Sequence, residues 1–157
     1  MTSTPHVTIR DLDTAECEAV LARHHVGRIA FSFKDRVDIQ PISYVFEGEW
    51  LSCRTEPGTK LETLHHSPWV AFEVDEANGP YDWQSVVIRG TVYLMPEGSP
   101  DHAATVAAIR RVAPLAFTDA DPTPFRNVVF RVYPREMTGR GASSALRSGD
   151  GSPTTRA

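Results

Sequence analysis

Cysteine is scarce in this chain, and the two present, Cys17 and Cys53, have neither CxxC nor zinc-site spacing. That excludes a disulfide framework, and both thiols are expected to be reduced and structural. No uninterrupted apolar run is long enough to span a bilayer, and no basic segment followed by an apolar run opens the chain. These absences predict a cytoplasmic protein with no membrane partner. An excess of positive charge is missing too: 16 Lys and Arg stand against 20 Asp and Glu, for a net charge of -4. Nucleic acid and anionic surfaces are therefore poor partners, although a local basic site is still allowed. The histidines join no recognisable Ser or Cys motif, so neither an acid–base pair nor a nucleophile triad is visible and the catalytic residues are unknown. The adjacent pairs His24-His25 and His65-His66 point in different directions on a helix and cannot make the i, i+4 pair a metal prefers. No metal site is expected.

What is present fits one domain over residues 1–140, followed by a tail over 141–157 whose Ser, Gly, Thr and Arg content predicts disorder and little contribution to folding. Residues 1–9 are polar and are expected to form an arm. Asp13 with Glu16 makes a capping box, Leu12 and Cys17 are placed as its staple, and Cys17, Val20, Leu21 and His24 follow helical spacing until Gly27 stops them. Ile29, Phe31 and Phe33 then alternate with Arg28, Ala30 and Ser32 as a strand with one buried face. Residues 69–74 read as another strand, 75–83 as a polar connection of the kind that rims a site, and 85–95 as the longest strand, bent at Gly90. Ser99 and Pro100 open a third helix that Pro114 ends. Val128, Phe130 and Val132 alternate in a last strand stopped by Pro134. About six strands with few helices suit a small antiparallel barrel of mainly β class, with short peripheral helices, rather than a parallel sheet.

The organising stretch is residues 38–69. Ile39, Ile42, Tyr44 and Phe46, then Trp50 and Leu51, lie in β-branched and aromatic runs, and Glu47-Gly48-Glu49 supplies the glycine of a hairpin. Pro41 cannot donate to a ladder, so it marks an edge or bulge whose backbone is free to bind something else. A turn over 54–58 leads into a helix in which Thr59 and Glu62 fit the T-x-x-E capping box. Such a helix start, with a glycine before it and Thr59 and Lys60 in it, gathers unpaired amides, a dipole end, a hydroxyl and an ammonium, which suits a phosphate. Arg54 and Thr55 are near enough in sequence to join. The competing reading is a capped, solvated helix start, and Gly58-Thr59-Lys60 is not a Walker A loop.

Several ordered pieces carry a wider resemblance: Val26-Gly27-Arg28-Ile29-Ala30, Pro41-Ile42-Ser43-Tyr44, Arg54-Thr55-Glu56-Pro57-Gly58-Thr59-Lys60-Leu61, the run from Pro68 to Val74, and that from Trp83 to Val92. In this order the chain resembles the FMN-binding split-barrel family, the pyridoxamine-phosphate-oxidase-like superfamily; Met137-Thr138-Gly139-Arg140 looks like its closing motif. The resemblance implies a split barrel and a homodimer with the flavin at the interface. It implies Arg54, Thr55, Thr59 and Lys60 on the phosphate side, Ile39, Gln40, Pro41, Ile42 and Ser43 on the ring side, and a polar contact from Ser85. Trp50, Trp69 and Trp83 are expected near that site. True pyridoxamine-phosphate oxidases end in a tryptophan and an Arg/His-containing substrate segment, whereas 128–140 has no tryptophan, which argues against that activity. The function so implied is an FMN-dependent oxidoreductase exchanging hydride with an unidentified small molecule. The alternatives are a deazaflavin coenzyme, haem with His24, His25, His65 or His66 as axial ligand, or a non-catalytic flavin-binding protein.

Overall fold

The computed structural model describes residues 4–146. In chain order the elements are β1 (Pro5–Leu12), α1 (Thr14–Arg23), β2 (Val26–Phe33), β3 (Arg36–Glu47), β4 (Trp50–Thr55), α2 (Thr59–His66), β5 (Trp69–Gly79), β6 (Asp82–Leu94), α3 (Pro100–Val112) and β7 (Val128–Leu146). All strand pairs are antiparallel, in the order β1-β7-β4-β3-β2-β5-β6, and β6 pairs again with β7. That last pairing closes β2, β3, β4, β7, β6 and β5 into a six-stranded antiparallel barrel, the expected fold. β1 is a seventh strand added outside the ring.

The barrel interior holds Ile29, Tyr44, Leu51, Phe72, Ile88 and Phe130, all almost completely shielded from solvent. Tyr44 and Phe72 meet edge to face with centroids 4.9 Å apart, and the Tyr44 hydroxyl donates to the Leu21 carbonyl at 2.7 Å. The phenol is thus buried with its polar end satisfied, and it fastens α1 across one end of the barrel. Helix α1 begins as expected: Asp13 accepts from the Glu16 amide at 2.8 Å and Glu16 from the Asp13 amide at 2.9 Å. Its buried stripe is Cys17, Val20 and Leu21. Both cysteines are free and buried.

Several expectations are corrected by strand pairing. The polar arm is β1, whose residues from Pro5 to Leu12 face Leu146 to Gly139 of β7; its side chains are mostly exposed, so backbone hydrogen bonds rather than an apolar face hold it. For the same reason 141–146, expected to be the start of a tail, is strand; the rest of that expected tail, 147–157, lies outside the described part of the chain. Pro134 does not end β7. It sits opposite Gly90 where the β6 register shifts, and a proline is tolerated at such an irregularity. Gly90 makes the bend possible, since a Cβ there would lie 2.4 Å from the Tyr133 carbonyl oxygen. Gly27 does not stop α1, which ends at Arg23. It lies inside β2, where a Cβ would fall 2.3 Å from Phe72 Cζ, so the glycine lets that ring pack against the strand. Residues 75–83 are not a long connection either: β5 and β6 run on to a tight hairpin, with Gly79 opposite Asp82.

One feature of the sheet positions the site. β3 pairs with β2 from Arg36 to Ser43 but reaches β4 only from Ser43 to Glu47, where Gly48, with φ 63°, starts the hairpin turn. Among the described residues, 36–42 therefore have a neighbour on one side alone, and Pro41 lies on this edge as expected.

Candidate functional site

Where β3 loses its second neighbour, the end of β4 and the start of α2 leave an open cleft of 410 Å³ whose lining includes Gln40, Pro41, Ser43, Thr55, Lys60 and Arg126. Helix α2 has Gly58 rather than Thr59 as its N-cap, and no side chain caps it. Thr59 is the first helical residue. The reciprocal bonds of a Thr59–Glu62 box are absent among the described residues, since the Glu62 amide instead approaches the Gly58 carbonyl at 3.4 Å. The Leu61 amide also donates to the Gly58 carbonyl, at 3.0 Å, which leaves the amides of Thr59 and Lys60 without an acceptor among the described residues.

Lys60 is half-buried at this helix start. Burial holds its ammonium below the ordinary lysine value; the charge of Arg126 adds to this, and the carboxylates of Glu56 and Asp38 oppose it. Beneath it Cys53 is completely enclosed, and burial pushes its thiol up to about 12. Cys53 is thus a neutral filler of the barrel, without thiolate character at physiological pH. Among the described residues neither Lys60 nor Arg126 is in an ion pair. Two cations face a cleft that Glu56 also lines, so an anion bound there meets a net positive charge.

Arg54 also lines the cleft, but its charge is already matched. It pairs with Asp121 in the loop after α3, donates from Nη2 to the Thr123 carbonyl at 2.9 Å and from Nε to the Arg126 carbonyl at 2.5 Å, and stacks 4.5 Å from the Phe117 ring centroid. Burial works to raise the Asp121 carboxyl, yet the amides of Phe117 and Thr123 and the Arg54 guanidinium hold it at about 2. Arg54 is therefore first an anchor for the loop that delivers Arg126. Arg126 itself was not among the expected site residues. It lies 66 positions beyond Lys60 in sequence, and only the β4–β7 pairing brings its loop to the cleft.

The remaining expected residues divide. Thr55 is buried at the cleft wall, and Ser43 is exposed on it. Ile42 lines the cleft but turns its side chain into the core, so its backbone is what it can offer. Ile39 projects from the free edge and is 64% exposed. Thr59 does not line the cleft; it opens on a different groove, beside Phe33, Leu61, His65, His66 and Leu94. Ser85 sits between Asp75 and Arg140 in the β5-β6-β7 part of the sheet and does not line the cleft of this chain. The tryptophans do not gather there. Trp50 packs on Tyr93 and Tyr133 at the hairpin end of β4, Trp69 is exposed on β5, and Trp83 borders a polar hollow with Arg10 and Glu76. Of the histidines, His24 is held by Glu76 at 2.6 Å and His25 borders a second cavity beside the cleft. Among the described residues no cluster of three or more His, Cys, Asp or Glu could hold a metal ion, and no helix is long and apolar enough to cross a membrane.

The cleft thus gathers two cations and one carboxylate, Glu56, between a helix start and a strand edge that has no neighbour among the described residues. Comparison with known proteins gives the family and the fold. The sequence model of the family described as pyridoxamine 5'-phosphate oxidase matches residues 13–141. An uncharacterized protein of Rhizobium meliloti is 25% identical over 134 residues, 85% of each chain. Among solved structures, a FAD-binding protein from Mesorhizobium loti superposes with a TM-score of 0.75 at 26% identity, covering 88% of this chain and 99% of that one. The FAD-binding protein of Mycobacterium smegmatis gives 0.64 at 26% identity, covering 85% and 98%.

Proposed function

The chain belongs to the pyridoxamine 5'-phosphate oxidase family, and from that premise we propose that it is a flavin-dependent oxidoreductase holding FMN in the cleft between the β3 edge and the β4–α2 turn. The observation that carries this reading is the convergence of Lys60 and Arg126, neither in an ion pair among the described residues, on a cleft bordered by a helix start and lined by one carboxylate, Glu56. A phosphate with about -1.5 to -2 charges would answer both cations at once. Two relatives of similar size are FAD-binding proteins, and FAD contains the same riboflavin-phosphate half as FMN.

In this reading Lys60, Arg126 and the Thr59 and Lys60 amides of α2 hold the phosphate, with the Thr55 side chain in the wall behind them. Gln40, Pro41, Ile42 and Ser43 offer backbone to the ring, whose polar edge needs donors and acceptors that the free strand edge has to spare. The bound flavin supplies the hydride acceptor and donor, so the protein needs no nucleophile or acid–base dyad of its own. What the chain contributes is position and exclusion of water. A second copy of the chain is the natural cover for the open side, because Val37 and Ile39 stand 80% and 64% exposed along the same edge. The reactant that exchanges hydride is a small molecule.

The test is reconstitution. The purified chain, desalted after incubation with FMN, FAD, riboflavin or the deazaflavin coenzyme, should retain FMN, show a flavin absorption spectrum, and bind riboflavin more weakly. A chain that retains none of them would overturn the proposal; retention of the deazaflavin coenzyme alone would replace FMN by that coenzyme.

A further inference from the structure

The cleft is not the only cavity at the β3 edge. A second one, of 260 Å³, shares Val26, Ser43, Arg54 and Arg126 with it and continues beneath the end of α3. Its walls differ in character. Tyr44, Val45 and Ile109, all largely buried, and Val112 and Ala113 make an apolar chamber, with His25 at its border. A surface so apolar and so concave is a binding feature when a few polar groups converge on one end of it. Here that end is the boundary with the cleft. Arg54 contributes little free charge, because Asp121 matches it, so Arg126 is the cation left to face a ligand. Val112 and Ala113, on the same lining, lie at the C-terminus of α3, where the helix carbonyls carry partial negative charge. An anionic head is therefore favoured beside Arg126 and disfavoured beside α3.

We propose that this chamber binds the second reactant of the site, a small organic monoanion whose carboxylate-like head meets Arg126 and whose apolar body lies between Tyr44, Val45 and the end of α3. Its role as a reactant rests on the flavin reading of the adjoining cleft; its binding does not. The five N–H donors of an arginine allow Arg126 to serve the cofactor phosphate and this head from different sides. The two ligands then meet at Ser43, which borders both cavities.

The probes are benzoate and benzamide, which share one shape and differ in charge, titrated calorimetrically into the chain with and without FMN. Benzoate should bind about tenfold or more tightly than benzamide, the margin expected for a hydrogen bond to a charged group. Val112→Trp and Ala113→Trp fill the chamber from exposed positions at its rim, and each should weaken benzoate about tenfold or more while leaving FMN affinity within about twofold. Arg126→Gln should weaken both ligands. Equal binding of the two probes, indifference to both tryptophan variants, or no benzoate binding would overturn the chamber. A chain that binds benzoate in this Val112-dependent way but takes no flavin would overturn the flavin reading and leave the chamber standing; one that takes FMN but no benzoate would do the reverse.

Discussion

Arg54 on β4 and Asp121 in the loop between α3 and β7 form an ion pair whose side chains are only 10% and 2% exposed. Asp121 also accepts from the amides of Phe117 and Thr123, at 2.8 and 2.9 Å, so one carboxylate closes its own loop and fastens it to the barrel. Because the Arg126 carbonyl takes a further bond from Arg54, the pair sets where the second cation of the cleft stands.

Acid should reveal this pair. The Asp121 carboxyl is held at about 2 against an ordinary 3.8, so it binds its proton less readily in the folded chain than in the unfolded one. Its stabilisation is complete above the unfolded value and disappears as pH falls through about 2. Asp121→Asn should be less stable than the parent at neutral pH, with the difference narrowing steadily below about pH 4. Melting temperatures of both proteins across that range decide it. A difference that stays constant with pH would show that the carboxylate charge is irrelevant.

Gly27 is a packing requirement. A Cβ there would come within 2.3 Å of Phe72 Cζ and 2.8 Å of the Glu73 carbonyl oxygen, and the second of these is backbone that cannot swing aside. Gly27→Ala should cost roughly 1–3 kcal/mol, the range for forcing an extra carbon into a filled core. Chemical denaturation measures it. Unchanged stability would mean that β2 and β5 separate more easily than their pairing suggests.

Truncation after Gly141 should destabilise the fold. It removes the strand residues that face Pro5 to Ile9 of β1, together with Ala142, which is 5% exposed. Amide exchange along β1 should rise sharply on truncation, and the melting temperature should fall. If neither moves, β1 does not depend on β7.

A homodimer should form through the free β3 edge. Sedimentation at micromolar concentration is expected to show two chains, and Ile39→Lys, which places a charge on that exposed apolar edge, should shift the population toward one chain with little loss of folding. A parent chain that sediments as a monomer while binding flavin tightly would refute the interface.

Local rules made much of this fold legible in the sequence. The Asp13–Glu16 box, the Glu47–Trp50 hairpin, the Ser99 cap and the bend at Gly90 each depend on residues that are neighbours in sequence or on a steric property of one residue. β1 was not legible, because an added strand held by backbone pairing needs no apolar alternation to announce it. Thr59 and Gly58 compete for one cap position, and a T-x-x-E pattern cannot say which of them the tertiary turn selects. Within the candidate site, Lys60 and the β3 edge were legible from the 38–69 stretch. Arg126 and the balancing of Arg54 by Asp121 were not, since both follow from long-range strand pairing and no local spacing encodes it.

The most direct test of the account concerns Lys60. Lys60→Ala is titrated with FMN and with riboflavin, which carries the same ring and no phosphate, alongside the parent chain. Loss of one ammonium that meets the phosphate should cost on the order of 1.5–3 kcal/mol, or roughly ten- to a hundredfold in FMN affinity. Riboflavin binding and thermal stability should stay nearly constant. Equal weakening of both ligands would assign Lys60 to the ring or to the fold, and unchanged FMN affinity would contradict the phosphate site outright.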